Sequence, residues 1–202
     1  MTVPALVLAS GSPRRRELLE RLSFRFTVRP VDLDETPLDA ESPTDYVLRL
    51  ARAKARAAAR AGELVLAADT TVVEGGERLG KPDDDDAARA MLTRLSGREH
   101  EVHTGVALCD LDRGLQMAVV ETTRVKFVEM TRDEIDWYVA TGEPLDKAGA
   151  YAVQGFGSLF VEAVHGSYTC VVGLPIATTY RLLKNAGYQL PNLPRCCEEK
   201  EV

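Results

Sequence analysis

The chain has 202 residues, of which 45% are hydrophobic and 28% are charged, and its formal net charge is −6. These values indicate one globular domain that is long enough to bury a core. The net acidity argues against general binding of nucleic acid polymers, and no apolar run approaches the ~20 residues of a membrane-spanning helix. The first 60 residues nevertheless hold 11 Lys and Arg against 8 Asp and Glu, so we expect any polyanionic ligand to bind near them.

Neither the N-terminus nor the cysteines indicate export. The N-terminus lacks a basic segment before its short apolar stretch, so we expect no signal peptide. The four cysteines form neither a disulfide framework nor a metal-binding spacing, and Cys196 and Cys197 are adjacent in a polar stretch. We therefore expect a reducing, cytoplasmic compartment.

The N-terminal third is predicted to alternate strands and helices. The apolar run Ala5–Ala9 predicts a buried strand, and Ser12-Pro13 supplies an N-cap and a first helical residue for the helix that follows. A second strand is predicted over Phe24–Val28. Ser42-Pro43 gives the same start signal for a long helix rich in Ala and Arg, which we expect to end near Gly62.

The middle of the chain predicts strands on both sides of a helix. Leu64–Ala68 predicts a buried strand that ends at Asp69, and Gly75-Gly76 predicts a hairpin turn. A run of four aspartates then opens a helix, since carboxylates are favoured at a helix N-terminus. Two long strands, over about residues 100–110 and 116–128, are predicted to be joined by a turn.

The C-terminal part predicts two more strands and a final helix. Ala150–Val153 and Ser158–Val164 are predicted strands around a glycine-rich link, and Pro175–Ala186 is the predicted helix. Residues 1–190 are therefore expected to form a single α/β domain with a mixed sheet. We expect residues 191–202 to form a polar tail.

The hexamer Ser10–Arg15 is the most informative stretch for function. A glycine-containing turn that enters a helix leaves free backbone N–H groups, which favour an anion. The hydroxyls of Ser10 and Ser12 add donors, and Arg14 and Arg15 add forked cations suited to phosphate oxygens. The alternative is a capped helix with a solvated basic first turn, although arginines are unfavourable at this end of the dipole. The hexamer is neither a Walker loop nor a GxGxxG fingerprint, which disfavours an ordinary P-loop NTPase and a Rossmann dehydrogenase.

Four further residues could complete a phosphate-cleaving site. Asp69, at the predicted end of a strand, could ligate a hard cation or accept a proton, or could simply cap a turn. Glu35 is a second acidic candidate, whose alternative is a solvated loop carboxylate. Lys54 and Lys81, each a surface lysine if taken alone, would add positive charge. Together with the hexamer, this set has the groups that metal-assisted attack on a phosphoanhydride requires.

Seven segments of the chain carry a family resemblance. They are LASGSPRRRELLERL near the N-terminus, LARAKA (50–55), AADTTVV (67–73), GKP (80–82), LSG (95–97), LDKAGAYAVQG (145–155) and GSYTCVVGLP (166–175). In this order and spacing they resemble the Maf family of nucleoside triphosphate pyrophosphatases, from Leu8 to Tyr188.

The resemblance implies a fold, a reaction and a set of roles. The implied fold is α/β and inosine triphosphatase-like (Maf/HAM1-type), with an elongated mixed sheet flanked by helices and two lobes around a cleft. The implied reaction cleaves a nucleoside triphosphate between its α- and β-phosphates with a divalent cation, Mg²⁺ or Mn²⁺, and the implied assembly is a homodimer. Asp69 corresponds to the catalytic acidic residue, and Glu35 and Asp69 to metal-associated carboxylates. The residues that correspond to the phosphate site are Ser10, Arg14, Arg15, Lys54 and Lys81.

Three positions bear on the choice of base. The resemblance places Arg14, Thr70 and Gln154 where the dTTP/UTP branch has Arg, Thr and Gln, whereas a branch acting on 7-methylguanosine triphosphate has Trp and Glu at the outer two. A Gln amide is complementary to N3–H and O4 of uracil or thymine. The alternatives are another substrate, such as CTP or a modified pyrimidine triphosphate, and a non-catalytic nucleotide sensor that regulates cell division.

Overall fold

The computed structural model describes residues 4–189, which form seven strands and six α-helices. The strands are β1 Ala5–Leu8, β2 Phe26–Val28, β3 Glu63–Glu74, β4 Glu77–Leu79, β5 Glu99–Asp110, β6 Leu115–Phe127 and β7 Val161–His165. The helices are α1 Pro13–Arg21, α2 Pro43–Ala58, α3 Asp85–Leu95, α4 Arg132–Ala140, α5 Tyr168–Val172 and α6 Ile176–Asn185. Shorter 3₁₀ segments cover Glu143–Asp146, Ala148–Ala150 and Gly155–Phe160.

The strands form one mixed sheet in the order β2-β1-β3-β5-β6-β7, with β4 added to the far end of β3 as a hairpin. β1 is parallel to both of its neighbours, and the remaining pairs are antiparallel. This is the mixed α/β sheet that the sequence predicts. No helix within residues 4–189 is long and apolar enough to cross a membrane.

Local start signals predict the first two helices correctly. The Ser12 hydroxyl accepts a hydrogen bond from the Arg15 backbone N–H, and Pro13 is the first residue of α1. Ser42 caps α2 in the same way. The second helix ends at Ala58, four residues earlier than expected, because the chain leaves the helical conformation before it reaches Gly62.

β3 is longer than the sequence predicts. It continues through Asp69 to Glu74, so the predicted strand end at Asp69 is wrong. The strand that ends near this point is its neighbour β1. The last residue of β1 paired with β3 is Leu8, which lies opposite Leu66. β3 keeps its other partner, β5, beyond that point. Asp69 therefore lies in the middle of a paired strand, beside the place where the chain of β1 turns away from the sheet.

The long strands β3, β5 and β6 extend through two apolar halves of the molecule. In one half, Leu66 packs in a cluster with α1 and α6, while Val65 and Ala67 pack on the other face against α2. In the other half, Val72 and Val102 pack in a cluster with α3 and α4. The site described below lies between these halves, which correspond to the two lobes implied by the resemblance.

The region after α4 differs most from the prediction. Ala150–Val153 is not a strand: Ala150 has a positive φ angle, and the extended backbone that begins at Tyr151 pairs with no described strand of the sheet. The predicted strand Ser158–Val164 begins only at Val161, after a 3₁₀ segment, and the short helix α5 was not predicted. The predicted tail, with Cys196 and Cys197, lies outside the described residues.

Candidate active site

A cleft of about 620 Å³ opens where β1 ends and β3 continues. All nine residues that the sequence singled out line this cleft. They are Ser10, Arg14, Arg15, Glu35, Lys54, Asp69, Thr70, Lys81 and Gln154. Residues that are up to 144 positions apart in the chain are thereby brought to one cavity by the sheet and by the loops around it.

The loop between β1 and α1 forms one wall of the cleft. Ser10 is buried, and its hydroxyl accepts a hydrogen bond of 3.2 Å from the backbone N–H of Ser12. Arg14 lies in the first turn of α1 and faces the cleft. The turn therefore presents a helix N-terminus and a cation to the same cavity, which is the arrangement expected of an anion site.

The Arg15 guanidinium is hydrogen-bonded mainly to other groups of the protein. Its guanidinium donates to the carbonyls of Gly173 at 2.8 Å and Ala68 at 2.6 Å, and to the hydroxyls of Ser10 and Thr70, each at 3.1 Å. Burial lowers the pKa of Arg15, and the nearby charge of Asp69 opposes that shift. Four of the five N–H groups are thus used within the protein. Arg15 joins the loop, β3 and the end of α5 into one framework.

Thr70 belongs to the same hydrogen-bond network. The buried Thr104 hydroxyl donates its only proton to the Cys170 carbonyl at 2.9 Å, so Thr70 is the donor in the 2.9 Å bond between the two threonines. The Thr70 oxygen also accepts from Arg15. The Thr70 oxygen keeps one lone pair with which it can accept a hydrogen bond from a ligand. Its proton is donated to Thr104.

Two carboxylates of the cleft share one cation. Lys54 Nζ lies 2.7 Å from Asp69 Oδ1 and 2.5 Å from Glu35 Oε1. Asp69 is buried, whereas Glu35 is half exposed on a loop. Burial raises the pKa of Asp69, and the positive charges of Lys54 and Arg15 counteract the shift.

The alternation of β3 explains which way Asp69 points. Successive side chains of a strand face opposite sides of the sheet. Val65 and Ala67 pack on the α2 side, and Asp69 continues that series toward Lys54 of α2. Thr70 faces the opposite side, where it meets Arg15.

A glycine allows α2 to lie close enough to the sheet for this ion pair. Gly105 lies opposite Asp69 in β5. A Cβ atom at Gly105 would lie only 2.7 Å from the Val47 carbonyl carbon and 3.0 Å from the Leu48 nitrogen of α2. The missing side chain therefore sets the distance between helix and sheet.

Several residues that line the cleft escaped the sequence reasoning. Tyr46 lies two helical turns before Lys54, and its hydroxyl donates to the Glu35 carbonyl at 3.0 Å, which holds the Glu35 loop over the cleft. Asp146 and Lys147 also line the cavity. Two features of the sequence could have identified them. Tyr46 lies eight residues before Lys54 on the same helix, and Asp146 and Lys147 belong to the segment that contains Gln154.

The cleft can accommodate a hard divalent cation. Within residues 4–189, no group of three or more His, Cys, Asp or Glu side chains forms a complete metal site. Two carboxylates are nevertheless close enough to share one ammonium, and Mg²⁺ is commonly bound by one or two carboxylates together with water and substrate phosphates. Glu35 and Asp69 therefore fit such an ion.

The family model described as "Maf-like protein" matches residues 5–186. The chain belongs to the Maf-like family. A Maf-like relative from Anaeromyxobacter dehalogenans (strain 2CP-1), named dTTP/UTP pyrophosphatase, is 58% identical over 190 residues, which cover 93% of this chain and 97% of the relative. A relative of the same name from Myxococcus xanthus is 55% identical over 188 residues, which cover 92% of this chain and 94% of the relative.

The fold of this Maf-like chain is shared with a more distant protein. The structure of the Staphylococcus aureus Ham1 protein matches with a TM-score of 0.50 at 14% identity, over 90% of this chain and 99% of that one. At this identity the likeness concerns the fold alone, and it agrees with the inosine triphosphatase-like architecture that the resemblance implies.

Proposed function

We propose that this protein hydrolyses dTTP and UTP to the nucleoside monophosphate and pyrophosphate. The observation that carries the proposal is the ion cluster in which Lys54 joins Glu35 and Asp69 inside a cleft lined by further basic residues. The names of the relatives at 58% and 55% identity support the same reaction.

The basic residues bind the triphosphate. Arg14, Lys54 and Lys81 supply cationic donors, and the N-terminal turn of α1 supplies backbone N–H groups. Ser10 and Arg15 belong to the same wall, where Arg15 uses its one remaining N–H on the substrate and its other four to fix the wall. Preorganised cations of this kind stabilise the charge that develops in the transition state.

Asp69 and Glu35 act at the α-phosphate. Asp69 accepts a proton from the attacking water, and together with Glu35 it would hold a divalent cation, Mg²⁺ or Mn²⁺. When bound, such an ion polarises the phosphoryl oxygen and orients water for in-line attack. Lys54, which contacts both carboxylates, also lines the cleft and can bind phosphate oxygens.

Gln154 and Thr70 act on the base. The Gln154 amide can both accept from N3–H and donate to O4 of uracil or thymine. Arg14 and Thr70 are the other two base-selecting positions that the resemblance implies. Thr70 can contribute its free lone pair as a hydrogen-bond acceptor. The homodimer and the cytoplasmic location remain predictions.

A panel of triphosphates tests the proposal against its alternatives. Pyrophosphate release is measured with Mg²⁺ or Mn²⁺ for UTP, dTTP, CTP, modified pyrimidine triphosphates, GTP and ATP. We expect the highest kcat/KM for UTP and dTTP. A higher kcat/KM for CTP or a modified pyrimidine triphosphate would mean that this nucleotide, and not UTP or dTTP, is the substrate. No pyrophosphate release from any of them would favour a nucleotide sensor that regulates cell division.

A further inference from the structure

Gln154 lies on a segment whose backbone is bonded to side chains rather than to a neighbouring strand. Residues 152–157, the Gln154 segment, comprise an irregular stretch and the start of a 3₁₀ turn. A side chain that selects a base needs its backbone fixed, because a displacement of about 1 Å is enough to lose activity. The segment must therefore be held by other means.

Two side chains hold the Gln154 segment on both sides of Gln154. The Ala152 N–H donates to the Tyr138 hydroxyl at 3.2 Å. Past Gln154, the N–H groups of Phe156 and Gly157 donate to the Glu143 carboxylate at 3.1 Å and 2.9 Å. The Tyr138 hydroxyl in turn donates to Glu143 Oε1 at 2.7 Å, so the two anchors are bonded to each other.

The two anchors contact the backbone at glycines, which have no side chain to block the contact. A Cβ atom at Gly155 would collide with the Glu143 carboxylate, and one at Gly157 would collide with the Tyr138 hydroxyl and the Ala152 carbonyl. Gly155 also has a φ of +69°, a conformation that favours glycine. Both glycines are thus explained by contact with the anchors.

The chemistry of the anchors suits a permanent role. Tyr138 is fully buried, and burial together with its bond to Glu143 raises its pKa, so the hydroxyl stays protonated and continues to donate. Glu143 accepts three hydrogen bonds through its two oxygens. A carboxylate has acceptors on both of its oxygens, so it can accept from all three donors.

We infer that Glu143, through its bonds to Tyr138, Phe156 and Gly157, is a positioning residue that aligns Gln154 with the base of the substrate. The inference rests on the proposed function. It assigns Glu143 to substrate selection and leaves the chemical step to Asp69 and the cations around it.

The substitution Glu143→Gln tests this role with little change in volume. One oxygen becomes an NH₂ group, which faces a backbone N–H instead of accepting from it. We expect KM for UTP and dTTP to rise by about tenfold, the equivalent of one charge-assisted hydrogen bond, while kcat changes by less than about twofold, as for loss of uniform binding. The preference for UTP over GTP should fall by a similar factor.

Two further variants separate alignment from general damage. Tyr138→Phe removes the second anchor and should change KM and selectivity in the same direction by a smaller factor. Glu162→Gln, at an exposed position of β7, makes the same chemical change away from the cleft and should leave all constants as in the wild type. Melting temperatures of all three report any loss of fold.

The outcomes distinguish this inference from the proposed function. If Glu143→Gln lowers only kcat or the melting temperature, with KM and base preference unchanged, Glu143 is merely structural and the inference is overturned. If the wild type releases no pyrophosphate, the proposed function fails. The Kd of UTP, measured by calorimetry for wild type and Glu143→Gln, then tests the anchor alone, and equal values would overturn it.

Discussion

Lys54 and Asp69 form a buried ion pair in which Nζ lies 2.7 Å from Oδ1, and the two side chains are only 12% and 9% exposed. The pair connects α2 to the middle of β3, and Glu35 contacts the same ammonium from its loop. One ammonium thus contacts two carboxylates of the cleft. Burial raises the pKa of Asp69, and the positive charges of Lys54 and Arg15 oppose that shift.

Removal of Lys54 should cost stability through the carboxylate that it leaves behind. Lys54→Met is expected to lower the free energy of unfolding by about 3 kcal/mol at neutral pH, because breaking a buried pair leaves an uncompensated charge. In an Asp69→Asn background the same substitution should cost about 1 kcal/mol. Urea denaturation of the four proteins gives the coupling energy, and additive losses would show that the two residues do not interact.

Arg15 should be irreplaceable by lysine. Arg15→Lys retains one charge but has three donors and no fork, so acceptors such as the Gly173 and Ala68 carbonyls lose their partners. We expect a loss of about 3 kcal/mol in unfolding free energy and a loss of pyrophosphate release of at least about tenfold. The matched control is Arg16→Lys, since Arg16 is 56% exposed and pairs with Glu20 at 3.5 Å. A control that loses as much stability as Arg15→Lys would contradict this account.

His100 should make the protein sensitive to mild acid. It is buried, it bonds to the Tyr151 hydroxyl at 2.8 Å, and burial lowers its pKa to about 4 from 6.5. Because the unfolded state binds the proton more readily, this contribution to stability is complete above pH 6.5 and is lost as the pH falls toward 4. The loss should reach about 3 kcal/mol.

The comparison protein for this effect is His100→Gln, which keeps a hydrogen-bonding group near Tyr151 but does not titrate in this range. Unfolding free energies of both proteins are measured at pH 7 and pH 4.5. The wild type should lose about 2 kcal/mol more than the variant over this interval. Parallel losses would mean that other groups account for the acid sensitivity.

Base selectivity should change when the Gln154 amide becomes a carboxylate. Gln154→Glu removes the donor that faces O4 of uracil or thymine and introduces a charge that repels it. We expect kcat/KM for UTP and dTTP to fall by about a hundredfold relative to GTP, the equivalent of one unsatisfied polar contact in a specific site. Unchanged ratios across the triphosphate panel would exclude Gln154 from base recognition.

Much of the fold follows from local signals, whereas the cleft and its residues follow from the motifs that resemble the Maf family. Ser12 and Pro13 set the start of α1 through interactions within one turn, which a sequence displays directly. The end of β3 could not be placed, because the apolar run stops at Ala68 while the strand is continued by pairing with a distant partner, β5. The framework role of Arg15 was hidden for the same reason, since its acceptor Gly173 lies 158 residues away.

The segment around Gln154 shows the other limit of sequence reasoning. Ala150–Val153 is apolar enough for a strand, but Ala150 has a positive φ and the extended residues after it have no partner among the described strands of the sheet. Side-chain anchors replace the missing strand partner, and no local pattern shows which tyrosine and which glutamate will reach the backbone. Nine residues that line the cleft could thus be named from the sequence, whereas Tyr46 and the hydrogen bonds that hold the site could not.

In the proposed reaction, Asp69 drives cleavage between the α- and β-phosphates. The most direct measurement compares products formed from UTP by wild type and Asp69→Asn, with the exposed substitution Asp133→Asn of α4 as control. Wild type and control should release UMP and pyrophosphate, while Asp69→Asn keeps its fold and loses activity by at least about a thousandfold, as expected for loss of a base and a metal ligand together. Near-normal pyrophosphate release by Asp69→Asn, or UDP and phosphate from the wild type, would contradict the account.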